Sequence, residues 1–213
     1  MLTKLFDNTK PNSLATRFRR KRFKLFLEII VNFNKPVKIL DVGGTESFWK
    51  MMNLTSPGLV SVTLANTEEI PITLPNFSYI KCDAKDLSVF KDKEFDMVFS
   101  NSVIEHVDDP KKMADEIMRT GRRYFVQTPN YYFPIEPHFI FPFFQFLPLP
   151  VRRFLVMNFN MGWFKKCKSI KKVDELINSI KLLKKSDIMR LFPNSKIYKE
   201  KFLYIVKSFI IYN

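Results

Sequence analysis

Five short apolar runs, each closed by polar residues and spaced to admit helices between them, constrain this chain more than any other feature. They are Val37–Asp41, Leu59–Ala65, Phe77–Cys82, Phe95–Ser100 and Tyr124–Thr128. Runs of this length, rich in β-branched residues, read as strands buried on both faces. Between the fourth and fifth, Asp109-Pro110 starts a helix that runs to about Thr120 and stops at Gly121. Strands alternating with helices imply a parallel sheet with right-handed crossovers. Near the end, "SKIYKE" and "YIVKSFIIY" leave no room for a helix between them and read as an antiparallel hairpin on the sheet edge. The expected fold is α/β: a doubly wound, mostly parallel seven-stranded sheet with an antiparallel C-terminal hairpin.

Before the first strand, Pro11-Asn12-Ser13 offers a helix start with Asn12 or Ser13 as N-cap. Phe18, Leu25, Phe26, Ile29, Ile30 and Phe33 follow at helical spacing, and Asn34-Lys35-Pro36 ends the helix. Its "RFRRKRFK" cluster, Arg17 to Lys24, reads as a solvated face. Arg17, Arg20 and Lys24 share one stripe, which would also suit a phosphate- or carboxylate-bearing acceptor or anionic lipid headgroups. After the fifth strand, Asn130 to Trp163 is dense in Phe, Tyr and Pro and fits neither the helical nor the strand period. It reads as an insertion packed over the active face, with helices around Val173–Ile180 and Ser186–Leu191 after it. The expected organisation is one domain: a basic N-terminal helix (1–35), a cofactor-binding core (36–130), an aromatic insertion over the acceptor site (131–170), then helices and hairpin (171–213).

The formal charge of +14 invites a nucleic-acid or anionic-membrane reading. A chain heavy in Lys, Asn, Ile and Phe together is also what an AT-rich genome produces, and the scattered lysines are read that way. Cys82 and Cys167 are far apart and in no metal-ligand spacing, so neither a disulfide framework nor a metal site is expected, and a reducing cytoplasm is the expected compartment. "MLTKLFDNTKPNS" lacks an apolar core of signal-peptide length. The most apolar run, from Phe139, is too short to span a membrane and carries Pro142, Pro148 and Pro150, leaving peripheral contact as the membrane association to consider.

In an open parallel sheet, ligands bind beyond the carboxyl ends of the strands. There the sequence places Asp41-Val-Gly-Gly, Asn66-Thr-Glu-Glu, Asp83-Ala, Ser100-Asn-Ser and Thr128-Pro-Asn. Gly43 and Gly44 let a ligand approach the backbone closely. A residue ending the second strand is placed for ribose hydroxyls, and an ionised Asp83 can accept from an adenine amine. The dinucleotide fingerprint G-x-G-x-x-G is absent, because no glycine follows Gly44 until Gly58. A carboxylate at Asp41 suits a ligand with positive charge, such as an amino acid's ammonium group, better than a pyrophosphate.

With these residues in view, the chain resembles the class I S-adenosylmethionine (SAM)-dependent methyltransferases of the UbiE/UbiG-like, methyltransferase 11 type. The resemblance rests on "ILDVGGT" (39–45), "IKCDAKDL" (80–87), "FDMVFSNSVIEHV" (95–107) and "VQTPN" (126–130), in the family's order and approximate spacing. It implies a Rossmann-like fold and SAM as cofactor. Asp41, Gly43 and Gly44 would line its methionine and ribose part. Asn66 stands where the family usually has an acid on the ribose diol, with Glu68 as substitute. Asp83 and Ala84 would hold the adenine, and Ser100 would sit beside the sulfonium. The family's third loop glycine is missing, and Phe48-Trp49 follow instead.

For the acceptor, the catalytic candidates are the two histidines of the chain, His106 and His138, with Glu136 and Tyr131 as weaker ones. The aromatic insertion points to an apolar or lipid-linked acceptor or to docking on a membrane surface, and the expected activity is methyl transfer to a small-molecule, glycan or lipid-linked acceptor. The charge keeps an RNA or DNA methyltransferase as a rival, although "SNSVIEHV" is not the Asn/Asp-Pro-Pro-aromatic signature of base amino-methyltransferases. The altered loop keeps a non-catalytic binding subunit as another.

Overall fold

A computed structural model describes residues 13–213 of the chain. Asn12, one of the two expected caps, lies outside them. Ser13 caps helix α1 (Leu14–Ile30), its Oγ accepting from the Thr16 amide at 3.1 Å. Then come β1 (Val37–Val42), α2 (Glu46–Met51), β2 (Val60–Asn66), β3 (Phe77–Lys81), β4 (Phe95–Asn101), a 3-10 turn (Ile104–His106), α3 (Pro110–Thr120) and β5 (Gly121–Pro129). Two short strands, β6 (Ile135–Glu136) and β7 (Phe141–Pro142), precede α4 (Leu149–Asn158), α5 (Ile170–Asn178) and α6 (Lys185–Leu191). The hairpin β8 (Lys196–Phe202) and β9 (Ile205–Tyr212) ends the chain.

The seven-stranded sheet has the order β3-β2-β1-β4-β5-β9-β8. The first five strands pair in parallel, and β9 runs antiparallel to both β5 and β8. The doubly wound fold with its antiparallel C-terminal hairpin is therefore as the sequence indicates. Strand order reverses between β1 and β4, so a crevice opens beyond Val42 and Asn101. The alternation with helices is less regular than expected. Residues 67–76 and 82–94, which link β2 to β3 and β3 to β4, contain no helix. Pro71 and Pro75 lie in the first of these links, where each removes a backbone donor.

Both faces of the sheet are covered. On one, Phe26 of α1 sits among Phe23, Trp49, Phe99 and Phe125, with ring centroids 5.1 to 6.0 Å away. On the other, Met113 and Ile117 of α3 and Ile188 of α6 pack on Leu40, Val98 and Val126. The two faces follow the strand alternation: Met97 and Phe99 serve the first core, and Val98 the second. Full burial of a side chain such as Phe26 stabilises by roughly 1.5–3 kcal/mol.

α1 corrects one expectation. Arg17, Arg20 and Lys24 are exposed, as a solvated stripe should be, but Arg22 is buried. Position 22 lies four residues from both Phe18 and Phe26 and so shares their face. The aromatic insertion divides between two roles. Phe139, Phe144, Val156, Met161, Val173 and Ile177 form a core of their own, whereas Tyr132, Phe143, Phe146, Phe154, Phe159 and Trp163 are exposed. Among the described residues no helix is long and apolar enough to cross a membrane.

Candidate active site

The loop after β1 is built around the Asp41 carboxylate. Gly43 has φ +78°, a conformation side-chain-bearing residues rarely adopt, and a Cβ there would press on Val103. Its amide donates to the Ala65 carbonyl at 2.8 Å, tying the loop to the end of β2. A Cβ on Gly44 would overlap the Asp41 carboxylate. Trp49, fully buried in α2, donates its indole N–H to Asp41 Oδ2 at 2.7 Å, and Oδ1 has no hydrogen-bond partner. Trp49, which follows the glycine loop, thus supplies the carboxylate's partner.

Burial raises the Asp41 pKa from 3.8 to about 7, with the Trp49 hydrogen bond pulling the other way. Between these values the unfolded chain is ionised at Asp41 while the folded protein keeps its proton, so stability falls as pH rises. The expected loss is at most about 4 kcal/mol across that window. Urea unfolding at several pH values should show the decline in the wild type and a flatter profile in Asp41→Asn; parallel profiles would contradict it.

Two cavities meet at Gly43. One, of about 450 Å³, is lined by Asp41, Gly43, Gly44, Phe48, Phe99 and Asn101 among others. The second, of about 320 Å³, has Asn66, Asp83, Ala84, Val103 and His106 in its wall. Asp41, Gly43, Gly44, Asn66, Asp83 and Ala84 are therefore brought together along one crevice. Asp83 is fastened by accepting the Lys85 amide at 2.9 Å. Glu68 is exposed and lines neither cavity.

Ser100 is placed otherwise than expected. It is fully buried on the face toward α3, and its hydroxyl donates to the Val42 carbonyl at 3.1 Å. Strand alternation turns its neighbour Asn101 toward the crevice instead.

A third cavity, of about 360 Å³, shares Arg19 and Asn101 with the first and His106 with the second. Arg22 backs it, donating to Asn101 Oδ1, to Gln127 Oε1 at 2.6 Å and to both Glu200 oxygens at 3.4 and 3.2 Å. Glu200 also accepts from Ser208 at 2.6 Å and from Lys207 at 3.4 Å. Lys207 lies over the Phe18 ring at 4.3 Å. Burial and the nearby Arg22 charge lower Arg19 to about 10 and Lys207 to about 8. Both are still cations at neutral pH, and an anion entering the cavity would relieve their repulsion.

Both histidines reach this cavity. His138 Nδ1 lies 2.7 Å from Glu136 Oε1, while Glu136 Oε2 accepts the His138 and Phe139 amides at 2.8 and 2.7 Å. His138 Nε2 faces His106 Nε2 at 3.1 Å. Glu136 therefore orients His138 and does not itself line the cavity, and Tyr131 packs on Tyr132 and Lys184, also outside it. Sequence reasoning missed Arg19, Arg22, Asn101, Trp49 and Lys207 as site residues.

Residues 52–123 match the methyltransferase domain family methyltransferase 11, from α2's end into β5. No curated protein matches the chain. Among solved structures, a SAM-dependent methyltransferase from Aquifex aeolicus superposes with a TM-score of 0.50 at 11% identity, covering 90% of this chain and 87% of that one. The N-terminal domain of EvdMO1, solved with S-adenosylhomocysteine (SAH) bound, gives 0.52 at 13% identity over 91% and 79%. The CurJ carbon methyltransferase gives 0.58 at 12% identity, over 99% of this chain and 56% of that one. At these identities the likeness is one of fold.

Proposed function

From a class I SAM-dependent methyltransferase fold that carries a methyltransferase domain match, we propose that this protein transfers the methyl group of SAM to a small anionic acceptor. The observation that supports this most is the continuity of the crevice: the glycine-loop cavity and the cation-lined cavity share Arg19 and Asn101. A non-catalytic binding subunit would need no second cavity there.

The residues present fit the cofactor. The unpartnered Asp41 Oδ1 would take its ammonium group, and Gly43 and Gly44 give the side-chain-free approach. Asn66 would meet the ribose hydroxyls, and Asp83 with Ala84 the adenine. The sulfonium brings an already activated methyl group, so what the protein supplies is mainly alignment. Asn101, in the wall common to both cavities and held by Arg22, is set where the two ligands would meet. Arg19 and Lys207 would hold a carboxylate or phosphate of the acceptor, and His106 and His138 would act on the group that receives the methyl.

A concave cavity of about 360 Å³ lined by half-buried cations supports a small or lipid- or sugar-linked anion over RNA or DNA. The exposed rings on the insertion, Phe143, Phe146, Phe154 and Trp163, favour an apolar portion or a membrane surface nearby. The test uses tritiated-methyl SAM with a panel of hydroxylated carboxylates and sugar phosphates. Lys207→Met, which keeps the aliphatic stem, is expected to raise the acceptor KM about 10- to 100-fold and to leave SAH affinity unchanged. An unchanged KM would remove Lys207 from acceptor binding.

A further inference from the structure

The two imidazoles face each other through their Nε2 atoms, 3.1 Å apart. A neutral imidazole has one N–H. In His138 the Nδ1 side is taken by Glu136. With that tautomer assigned from its partner, the His138 Nε2 lone pair points at His106 Nε2. The rings stand nearly perpendicular, at 87°, as two ligands around one centre can. Beside them Glu105 is wholly buried; its Oε2 accepts from Thr128 at 3.0 Å, and its Oε1 accepts no hydrogen bond from another residue. One ligand atom from each of Glu105, His106 and His138 lies within 4.8 Å of the others.

We propose that Glu105 Oε1, His106 Nε2 and His138 Nε2 form a binding site for one divalent first-row transition metal of the zinc type. Two nitrogens at Zn–N bond length in a tetrahedral shell are about 3.3 Å apart, close to the observed separation. A cation between the rings would be bound by the Nε2 atom of each and would give the orphaned carboxylate oxygen a partner. Glu136 completes the arrangement in which a carboxylate fixes the tautomer of a metal-bound histidine. Two imidazoles and one carboxylate leave a coordination position open toward the cavity. Magnesium, which prefers an octahedral shell of oxygens, is the weaker fit. Metal binding stands on this geometry alone. Its use rests on the methyltransferase reading: an acceptor hydroxyl on the open position would lose its proton to water more easily, and the resulting oxygen would form the O–CH3 bond as the S–CH3 bond of SAM breaks and SAH leaves. The cysteines gave no hint of the site, because it comes from an adjacent Glu-His pair and a histidine in the insertion.

The test titrates chelator-treated full-length protein, without SAM, with Zn²⁺ by calorimetry and with Co²⁺ by visible absorption. The expected result is one site of micromolar or tighter affinity, with the bands of low-coordinate Co²⁺. His138→Ala should weaken it by on the order of 100-fold or more, and Glu136→Gln, which leaves all three ligands in place, by about 10- to 100-fold. Circular dichroism confirms that each variant is folded. Failure of the wild type to bind Zn²⁺ below millimolar concentrations, or a His138→Ala variant that binds as tightly, would overturn the site. SAH affinity is measured separately, so loss of the metal site and loss of the cofactor reading remain distinguishable.

Discussion

Replacing Arg22 with alanine is expected to lower the free energy of unfolding by about 3–5 kcal/mol, the cost of breaking a buried ion pair by removing one partner. The Arg22 and Glu200 side chains are only 7% and 2% exposed, so water cannot take over from the lost guanidinium. Glu200 would keep Ser208 and Lys207, whereas Asn101 and Gln127 would each lose a donor. The effect should reach the site, because Asn101 stands in the wall between the two cavities. Arg20→Ala, on the exposed stripe of the same helix, is expected to stay within about 0.5 kcal/mol of wild type. Urea unfolding checks both. Arg22→Met with Glu200→Met removes the charge pair but leaves Lys207 without its carboxylate and Asn101 without its donor, so it should recover only part of the loss. A single Arg22→Ala that costs less than about 1 kcal/mol would show that the pair does not hold α1 against the sheet.

Gly44→Ala carries the second large effect. The new Cβ would occupy the space of the Asp41 carboxylate, and that carboxylate is held by Trp49 at 2.7 Å. Either the hydrogen bond breaks or the loop shifts, at a cost of about 1–3 kcal/mol for an overpacked site. Because the loop is the cofactor cradle, SAH affinity should fall by roughly 10- to 100-fold, at 1.4 kcal/mol per decade. Gly58→Ala, where a Cβ would meet nothing within 4 Å, is the control. Equal SAH affinity in Gly44→Ala and wild type would separate the loop from the ligand.

The sheet was legible because each of the first five strands is a largely apolar run that ends in polar residues, as at Asp41 and Asn66. The hairpin was legible because 196–212 has no length for a helix. What the sequence hid depends on contacts across the fold. Arg22 reads as one more base in "RFRRKRFK"; the signal that it is buried was its spacing from Phe18 and Phe26, but nothing local names Glu200 as the partner 178 residues away. The missing helix between β2 and β3 had a local signal in Pro71 and Pro75. Ser100 was assigned to the site by its place after an apolar run, and the register of β4, which turns Asn101 to the crevice, overrules that. Trp49 looked like a departure from a glycine loop and serves as the donor to Asp41. The His106–His138 pairing arises only when the insertion folds back over the strand ends.

Calorimetric titration of the purified protein with SAH tests the central reading most directly, run in two buffers of different ionisation enthalpy. One site of micromolar affinity is expected, with proton release near pH 6, because the ligand's ammonium group would draw Asp41 from its raised pKa of about 7 to the ionised form. Asp41→Asn should abolish the proton release and weaken binding. Absence of heat and of binding in the intact protein would contradict the account.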